Sequence, residues 1–173
     1  MTPVRWRRAT PGDARSLAHL GAATFLESFA HDHPRAGMLD HLDEAHSRDF
    51  YAAALADPAN AAIIGETPLG VPVGYALCTP NALAVDDPSP GDWEIKRIYL
   101  LAGWQGGGHG AALLGEVGAL ARALGKRRLV LAVYTNNAGA RRFYERHGFS
   151  AIGTTVFMVG DAAFEDLIYI RAL

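Results

Sequence analysis

The sequence predicts an α/β fold in which a mixed central sheet carries helices on both faces. Strand-like and helix-like patterns follow one another along the 173 residues in the order β-α-α-β-β-β-α-β-α-β-β. The strand–helix–strand unit over residues 93–134 needs a right-handed crossover and therefore a parallel strand pair. No repeat or low-complexity linker divides the chain, so we expect residues 1–173 to form a single domain.

The N-terminal half is punctuated by clear start and stop signals. Thr10-Pro-Gly-Asp13 supplies the cap and turn residues that precede a helix, and Asp57-Pro58 ends a helical pattern. The predicted elements are a strand at 4–8, a helix ending near Ala30, one or two short helices within 35–57, strands at 61–65 and 71–79, and a polar loop at 81–92.

The C-terminal half is more regular. Apolar residues recur at helical spacing from Leu113 to Leu124, and Gly125 and Gly148 each stand where a glycine ends a helix. The predicted elements are a strand at 93–101, a glycine-rich loop, a helix at about 108–124, a strand at 128–134, a helix at 137–147, and strands near 151–158 and 166–172.

Composition and charge exclude several classes of function. A formal net charge of −2 gives no reason to expect nucleic acid or an anionic membrane as a partner. No apolar stretch approaches the length of a membrane span, and no signal peptide is visible. The single cysteine, Cys78, excludes an internal disulfide and predicts a reducing, cytoplasmic location. Because Cys78 sits in an apolar strand pattern, we expect a buried, inert thiol.

The most informative stretch is Trp104-Gln-Gly-Gly-Gly-His-Gly110, between a predicted strand and a predicted helix. The first N–H groups of a helix have no intrahelical partners, and the helix dipole favours negative charge at this end. Glycines let a phosphate approach the backbone and allow positive φ. The stretch therefore predicts a site for a phosphate-bearing cofactor.

Two common phosphate loops fit this stretch poorly. A Walker A loop would end in Gly-Lys-Ser/Thr, whereas Gly110 is followed by two alanines. The run Gly106-x-Gly108-x-x-Ala111 matches the dinucleotide fingerprint, but the next strand ends in Tyr134-Thr135 and not in an acidic residue. An NTPase and a dehydrogenase are both disfavoured.

The third pattern, Gln/Arg-x-x-Gly-x-Gly/Ala, is matched by residues 105–110, and a second motif follows at 137–149, Asn-x-x-Ala-x-x-Phe-Tyr…Gly-Phe. In these two motifs the chain resembles the GCN5-related N-acetyltransferase (GNAT) family. The resemblance is firm over 93–149, and the order of elements extends it to nearly the whole chain. It implies a mostly antiparallel sheet of six to seven strands, with acetyl-CoA as cosubstrate.

The resemblance also implies which residues bind acetyl-CoA. The pyrophosphate is expected on the glycine loop, the pantetheine arm along the preceding strand, and the remainder against the second motif. The predicted cofactor-binding residues are Ile98, Tyr99, Leu100, Gln105, Gly106, Gly107, Gly108, His109, Gly110, Ala111, Asn137, Ala140 and Tyr144. On a helix, Asn137 and Tyr144 share one face about 10 Å apart, with the small Ala140 between them, so a long, thin ligand can lie along that face.

The same resemblance assigns the chemistry of transfer. The acetyl group would pass directly to a primary amine, and Tyr144 would protonate the departing thiolate. Glu94, at the start of the strand before the glycine loop, is the candidate for taking the amine's proton through water; a solvated strand-end charge is the alternative. Glu27, on the first helix, is the reserve candidate, and Glu27 and Phe29 are predicted to contact the substrate.

The acceptor is the least explicit prediction. Residues 24–29 and 158–168 resemble the spermidine/spermine acetyltransferase branch, and acidic residues in the N-terminal half and the 81–92 loop would attract a polycation. The alternatives are a protein N-terminus, a lysine or an antibiotic amine, or a non-catalytic acyl-CoA-binding sensor. The seven histidines lack ligand spacing, so no metal is predicted. A monomer or homodimer is expected, with a small-molecule amine as its partner.

Overall fold

The computed structural model describes residues 3–173. Seven strands and five α-helices follow the predicted order, and two short 3₁₀ turns lie at Pro11–Asp13 and Ala102–Trp104. The elements are β1 (Arg5–Arg8), α1 (Ala14–Phe29), α2 (Arg35–Ala45), α3 (Arg48–Ala56), β2 (Ala61–Glu66), β3 (Pro72–Pro80), β4 (Asp92–Leu100), α4 (His109–Ala123), β5 (Arg128–Tyr134), α5 (Ala138–Arg146), β6 (Ser150–Val159) and β7 (Ala162–Ala172).

The strands form one sheet in the order β1-β2-β3-β4-β5-β7-β6. Only β4 and β5 are parallel, and the five other neighbouring pairs are antiparallel. The predicted mixed, mostly antiparallel sheet is therefore confirmed. The parallel pair is the one that the crossover over residues 93–134 required.

Helices cover both faces of the sheet, as predicted. In β2, Ala61 and Ile63 pack into a core with α4 and α5, whereas Ala62 and Ile64 pack into a second core with α1 and α3. Because successive side chains of a strand point to opposite faces, a strand buried on both faces is apolar throughout. A third, smaller cluster joins α1 and α2 to the β6–β7 hairpin.

The sheet opens between β4 and β5. The two strands pair only from Asp92 to Glu94, opposite Arg128 to Val130. Beyond that point β4 continues beside β3 and β5 continues beside β7. A bulge at Lys96 shifts the β3–β4 register, because Leu77 faces Arg97 while Cys78 faces Ile95. Bulges bend a strand and increase its twist, and this one lies where β4 leaves β5.

Residues 35–57, predicted to form one or two short helices, form both α2 and α3. One feature differs from the sequence-based expectation. The last strand begins at Ala162 and not near 166, since a tight turn at Gly160, with φ of 58°, returns the chain directly after Val159. Glu165 and Asp166 pair with β6 within the hairpin. Within residues 3–173, no helix has the length and apolar character needed to cross a bilayer.

Candidate active site

A cavity of about 570 Å³ occupies the opening between β4 and β5. Its walls come from α1, β4, the glycine loop, α4, β5 and α5. Most of the residues predicted to bind acetyl-CoA line it. They are Ile98, Tyr99, Leu100, Gln105, Gly106, Gly108, Gly110, Ala111, Asn137, Ala140 and Tyr144.

The glycine loop leaves its N–H groups free at the mouth of this cavity. Gly106 and Gly108 have φ of 77° and 81°, a conformation that favours glycine. A Cβ added at either position would meet no atom within 4 Å, so the space beside the loop is open. The first hydrogen bond of α4 runs from the Ala112 N–H to the Gly108 carbonyl, 3.0 Å away. The N–H groups of residues 109–111 are thus available to an anion.

The free edge of β4 forms one long wall. The Leu101 N–H donates to the Val73 carbonyl of β3 at 3.0 Å. Backbone groups alternate in direction along a strand, so Ile98 and Leu100 direct theirs into the gap left by β5. The Leu100 carbonyl accepts from the Gln105 side chain at 3.1 Å, which ties the glycine loop to the strand. An extended ligand can therefore pair with β4 in place of a strand.

The opposite wall is the face of α5. Asn137 caps the helix, its Oδ1 accepting from the Ala140 N–H at 3.0 Å, and its amide NH₂ remains to donate elsewhere. Phe143 packs against the core and also lines the cavity. Tyr144 is only 8% exposed, and burial raises the pKa of its phenol above the ordinary value. The Tyr144 hydroxyl is therefore protonated at neutral pH and able to donate.

Four predicted site residues lie away from the cavity wall. Gly107 and His109 belong to the glycine loop and the start of α4 without lining the cavity. Glu27 accepts a hydrogen bond from the Ala102 N–H at 3.0 Å, which joins α1 to the turn after β4. Phe29, the other predicted substrate contact, does line the cavity.

The fourth of these residues, Glu94, is a buried residue of β4. Its carboxylate accepts from the Ala82 N–H at 3.0 Å and lies 3.2 Å from the Lys96 ammonium. Lys96 itself lines the cavity, whereas Glu94 does not. Any proton transfer from the cavity to Glu94 must therefore pass along Lys96 or through water.

Sequence reasoning missed Arg97 and Tyr134, which line the cavity from β4 and β5. A signal for Arg97 was present: the apolar residues of β4 fall at 93 and 95, then at 98 and 100, so that two polar residues interrupt a period of two. Such a break in alternation is what a bulge produces. No comparable signal pointed to Tyr134.

Beside Tyr134, the turn between α1 and α2 and the strands β5 and β7 bring polar groups together. Asp32 accepts from the Tyr134 hydroxyl at 3.0 Å and lies 2.7 Å from Nδ1 of His33, whose ring stacks on Phe164. Burial raises the pKa of Asp166 to about 6, and the nearby His33 opposes that rise. This region is built from side chains, unlike the glycine loop.

The remaining candidates are accounted for by burial and spacing. Cys78 is 2% exposed, and burial, together with the nearby Glu94, raises the pKa of its thiol, which makes it a poor nucleophile. Among residues 3–173, no three His, Cys, Asp or Glu side chains are grouped as metal ligands would be.

Comparison with known proteins adds the family. The acetyltransferase (GNAT) family model matches residues 22–149. An uncharacterized N-acetyltransferase of Mycobacterium tuberculosis is 34% identical over 165 residues, which cover 93% of this chain and 98% of that protein. The PaiA N-acetyltransferase of Thermoplasma acidophilum, solved in complex with coenzyme A, shares the fold with a TM-score of 0.80 at 16% identity, over 99% of both chains. YncA of Salmonella typhimurium, solved with acetyl-CoA, has a TM-score of 0.71 at 20% identity, over 99% of this chain and 95% of its own.

Proposed function

This chain belongs to the GNAT family of N-acetyltransferases, and from that premise we propose that it transfers the acetyl group of acetyl-CoA directly to a primary amine. The observation that carries the proposal is the gap between β4 and β5, which ends at the free N–H groups of α4. A strand edge, an anion site and a buried phenol then line one cavity. Solved structures of the same fold bind coenzyme A or acetyl-CoA.

The residues present fit that cosubstrate. The open space beside Gly106 and Gly108 and the free N–H groups of residues 109–111 suit the pyrophosphate. The main-chain groups of Ile98 and Leu100 suit the amides of the pantetheine arm, and the Asn137 amide supplies a further donor. Acetyl-CoA supplies an activated thioester. An N–H of β4 near Leu100 would stabilise negative charge on the acetyl oxygen during attack.

Tyr144 supplies the proton that the reaction needs when the carbon–sulfur bond breaks. The amine nitrogen forms a bond to the acetyl carbon, the sulfur departs as a thiolate, and the phenol donates to it. Burial raises the pKa of Tyr144, and the same desolvation disfavours a thiolate at this place, so the proton transfer stays feasible. The presence of this phenol in the cavity favours an enzyme over an acyl-CoA sensor.

Glu94 is our proposed acceptor for the proton that the amine loses. Its carboxylate is buried 3.2 Å from Lys96, a residue of the cavity wall. A water chain along Lys96 would connect the amine to this carboxylate. Glu27 is the less suitable residue, because its carboxylate already holds the Ala102 N–H outside the cavity.

The acceptor is a small-molecule amine in this proposal. A polyamine such as spermidine is the prediction from the sequence, and it draws support from Asp32 and Asp166 beside the cavity. The acidic loop gives less support because of its position. The backbone carbonyls of Asp86 and Asp87 accept hydrogen bonds from Arg128. Arg128 lies opposite Asp92 at the start of β4, whereas the glycine loop follows the other end of that strand. A protein N-terminus, a lysine or an antibiotic amine remain the alternatives.

The test is acetyl-CoA-dependent release of free thiol across a panel of primary amines. We expect release with at least one small amine and none in the absence of amine. Acetyl-CoA that stabilises the protein while no amine or peptide releases thiol would contradict catalysis and assign the chain to the sensor class.

A further inference from the structure

The charged side chains on the cavity wall are all basic. Among the described residues that line the cavity, Lys96, Arg97 and Arg146 carry permanent positive charge, and neither an aspartate nor a glutamate is present. Lys96 is offset by Glu94 at 3.2 Å. Arg146 belongs to α5, the helix that bears the second cofactor motif. Arg97 remains as a cation that the cofactor motifs do not explain.

Arg97 is fixed in position by aromatic side chains. Its Nη1 donates to the Tyr51 hydroxyl at 2.9 Å, and its guanidinium lies 4.3 Å above the ring of Phe50. The Tyr51 hydroxyl in turn lies 2.8 Å from that of Tyr75 and 3.1 Å from Nδ1 of His46. A cation on a flexible side chain is thus held in one orientation, which is the condition for specific recognition.

Arg97 has no counter-ion among the described residues. No carboxylate between residues 3 and 173 lies within 4.0 Å of it. Only one of its five N–H donors has a protein acceptor. Burial, with a smaller effect of Arg97 itself, lowers the pKa of His41 and lowers that of His46 to about 3. Both imidazoles are therefore neutral, and the side chains that contact the half-buried guanidinium, Phe50 and Tyr51, carry no charge.

The side chain of Arg97 lies on the face of the sheet that α1 and α3 cover, which we call the acceptor side. It packs on Phe50 and Tyr51 of α3, whereas α4 and α5, which carry the cofactor motifs, cover the other face. It also precedes Leu100 by three residues, about 10 Å along the strand and away from the glycine loop. The phosphates of a coenzyme bound on that loop are therefore poorly placed to neutralise it.

We propose that Arg97 binds a carboxylate of the acceptor, so that the substrate is a small amine that also carries a carboxylate, as an amino acid does. The proposal rests on the proposed N-acetyltransferase function and narrows its acceptor. A guanidinium presents two parallel N–H groups that match a carboxylate. The ammonium tail of a polyamine would meet the same guanidinium with repulsion.

The test uses α-amino acids, each paired with the amine that remains when its carboxylate is removed, with spermidine as a further acceptor. Initial rates of thiol release give kcat and KM for each. We expect the preferred amino acid to exceed its decarboxylated amine at least about tenfold in kcat/KM. Arg97→Gln should raise KM for the amino acid by about 10- to 100-fold while changing kcat/KM for the decarboxylated amine by less than about threefold. Arg97→Lys should recover part of the loss.

Lys96→Gln is the matched control, because it removes a neighbouring cation of the same wall that already has a partner, Glu94. Both rates of a pair should fall in it, since Lys96 leads to Glu94, but the ratio of the two kcat/KM values should persist. An undiminished thermal shift with acetyl-CoA shows that Arg97→Gln is folded. Three results would overturn the carboxylate assignment: equal kcat/KM for both members of every pair, a preference for spermidine, or a preference that Arg97→Gln leaves unchanged. The acetyl-transfer function would stand in each case. Absence of thiol release with every amine would instead defeat the proposed function, and this assignment with it.

Discussion

The two sides of the cavity differ in which part of the chain they offer to a ligand. On the side where we propose that acetyl-CoA binds, called here the cofactor side, the glycine loop and the β4 edge present main-chain N–H groups. On the side where we propose that the amine binds, the acceptor side, Arg97 and Tyr134 are side chains held by the hydrogen bonds that they donate to distant elements. Backbone donors are retained through many substitutions, whereas one changed side chain alters what the acceptor side can bind. This contrast suits a fold that keeps one acetyl donor and varies the amine that accepts the acetyl group.

A substitution in the glycine loop should have the largest effect, and that effect should be limited to binding of the cofactor. We expect Gly108→Asp to abolish stabilisation by acetyl-CoA, because it places a carboxylate where the pyrophosphate belongs. In the wild type, acetyl-CoA at 100 times its Kd should add about 2.7 kcal/mol of stability, or about 5–10 °C in Tm. Aspartate tolerates positive φ better than most residues, so the fold should survive. Thermal melts with and without acetyl-CoA measure the shift.

Gly115→Asp is the control for this variant. It adds the same charge to an exposed position of α4 where a Cβ meets no atom within 4 Å, and it should keep the full shift. A full shift in Gly108→Asp would locate the cofactor elsewhere.

Tyr144→Phe tests the point where the two sides meet. A general acid typically contributes about 10²–10⁴-fold, so kcat should fall by that factor while the acetyl-CoA thermal shift is unchanged. Tyr169→Phe serves as the control, because Tyr169 is also buried but donates to Glu145 outside the cavity. Unaltered kcat in Tyr144→Phe would leave water as the proton donor.

The same contrast explains what the sequence could predict. The cofactor side rests on residues 105–111 and 137–144, two local stretches whose helix caps and glycines follow rules of short range. On the acceptor side, Arg97 meets Tyr51 and Tyr134 meets Asp32, and in each pair only tertiary packing brings residues of separate elements together. The order of strands and helices along the chain was predictable for the same reason, because hydrophobic periodicity is local. The extended β7 was not, since its start depends on pairing with β6.

Glu94→Gln examines the proton acceptor that we propose. Because a carboxylate acting through water contributes at the lower end of the usual range, we expect kcat/KM to fall by about 10²-fold near neutral pH. Raising the pH should recover part of the loss, since a larger fraction of the amine is then already neutral. The pH profile of kcat/KM, with acetyl-CoA saturating, makes the measurement. A variant that keeps the wild-type rate and profile would reduce Glu94 to the structural partner of Lys96 and Ala82.

The smallest effect is expected on the acceptor side, at Asp166. Burial raises the pKa of Asp166 to about 6 in the folded protein, above about 3.9 in the unfolded chain. The folded state therefore favours the protonated form, so its contribution to stability is complete below about pH 4 and is lost as the pH rises through about 6. A shift of two pKa units corresponds to about 3 kcal/mol, which solvent screening at this partly exposed position reduces to about 1 kcal/mol. Asp166→Asn should thus be more stable than the wild type by about 1 kcal/mol at pH 8 and equal to it at pH 4, as measured by urea unfolding. Asp161→Asn, in the exposed turn of the same hairpin, controls for the change in net charge. If the stability difference between Asp166→Asn and the wild type did not depend on pH, Asp166 would be solvated like any surface carboxylate.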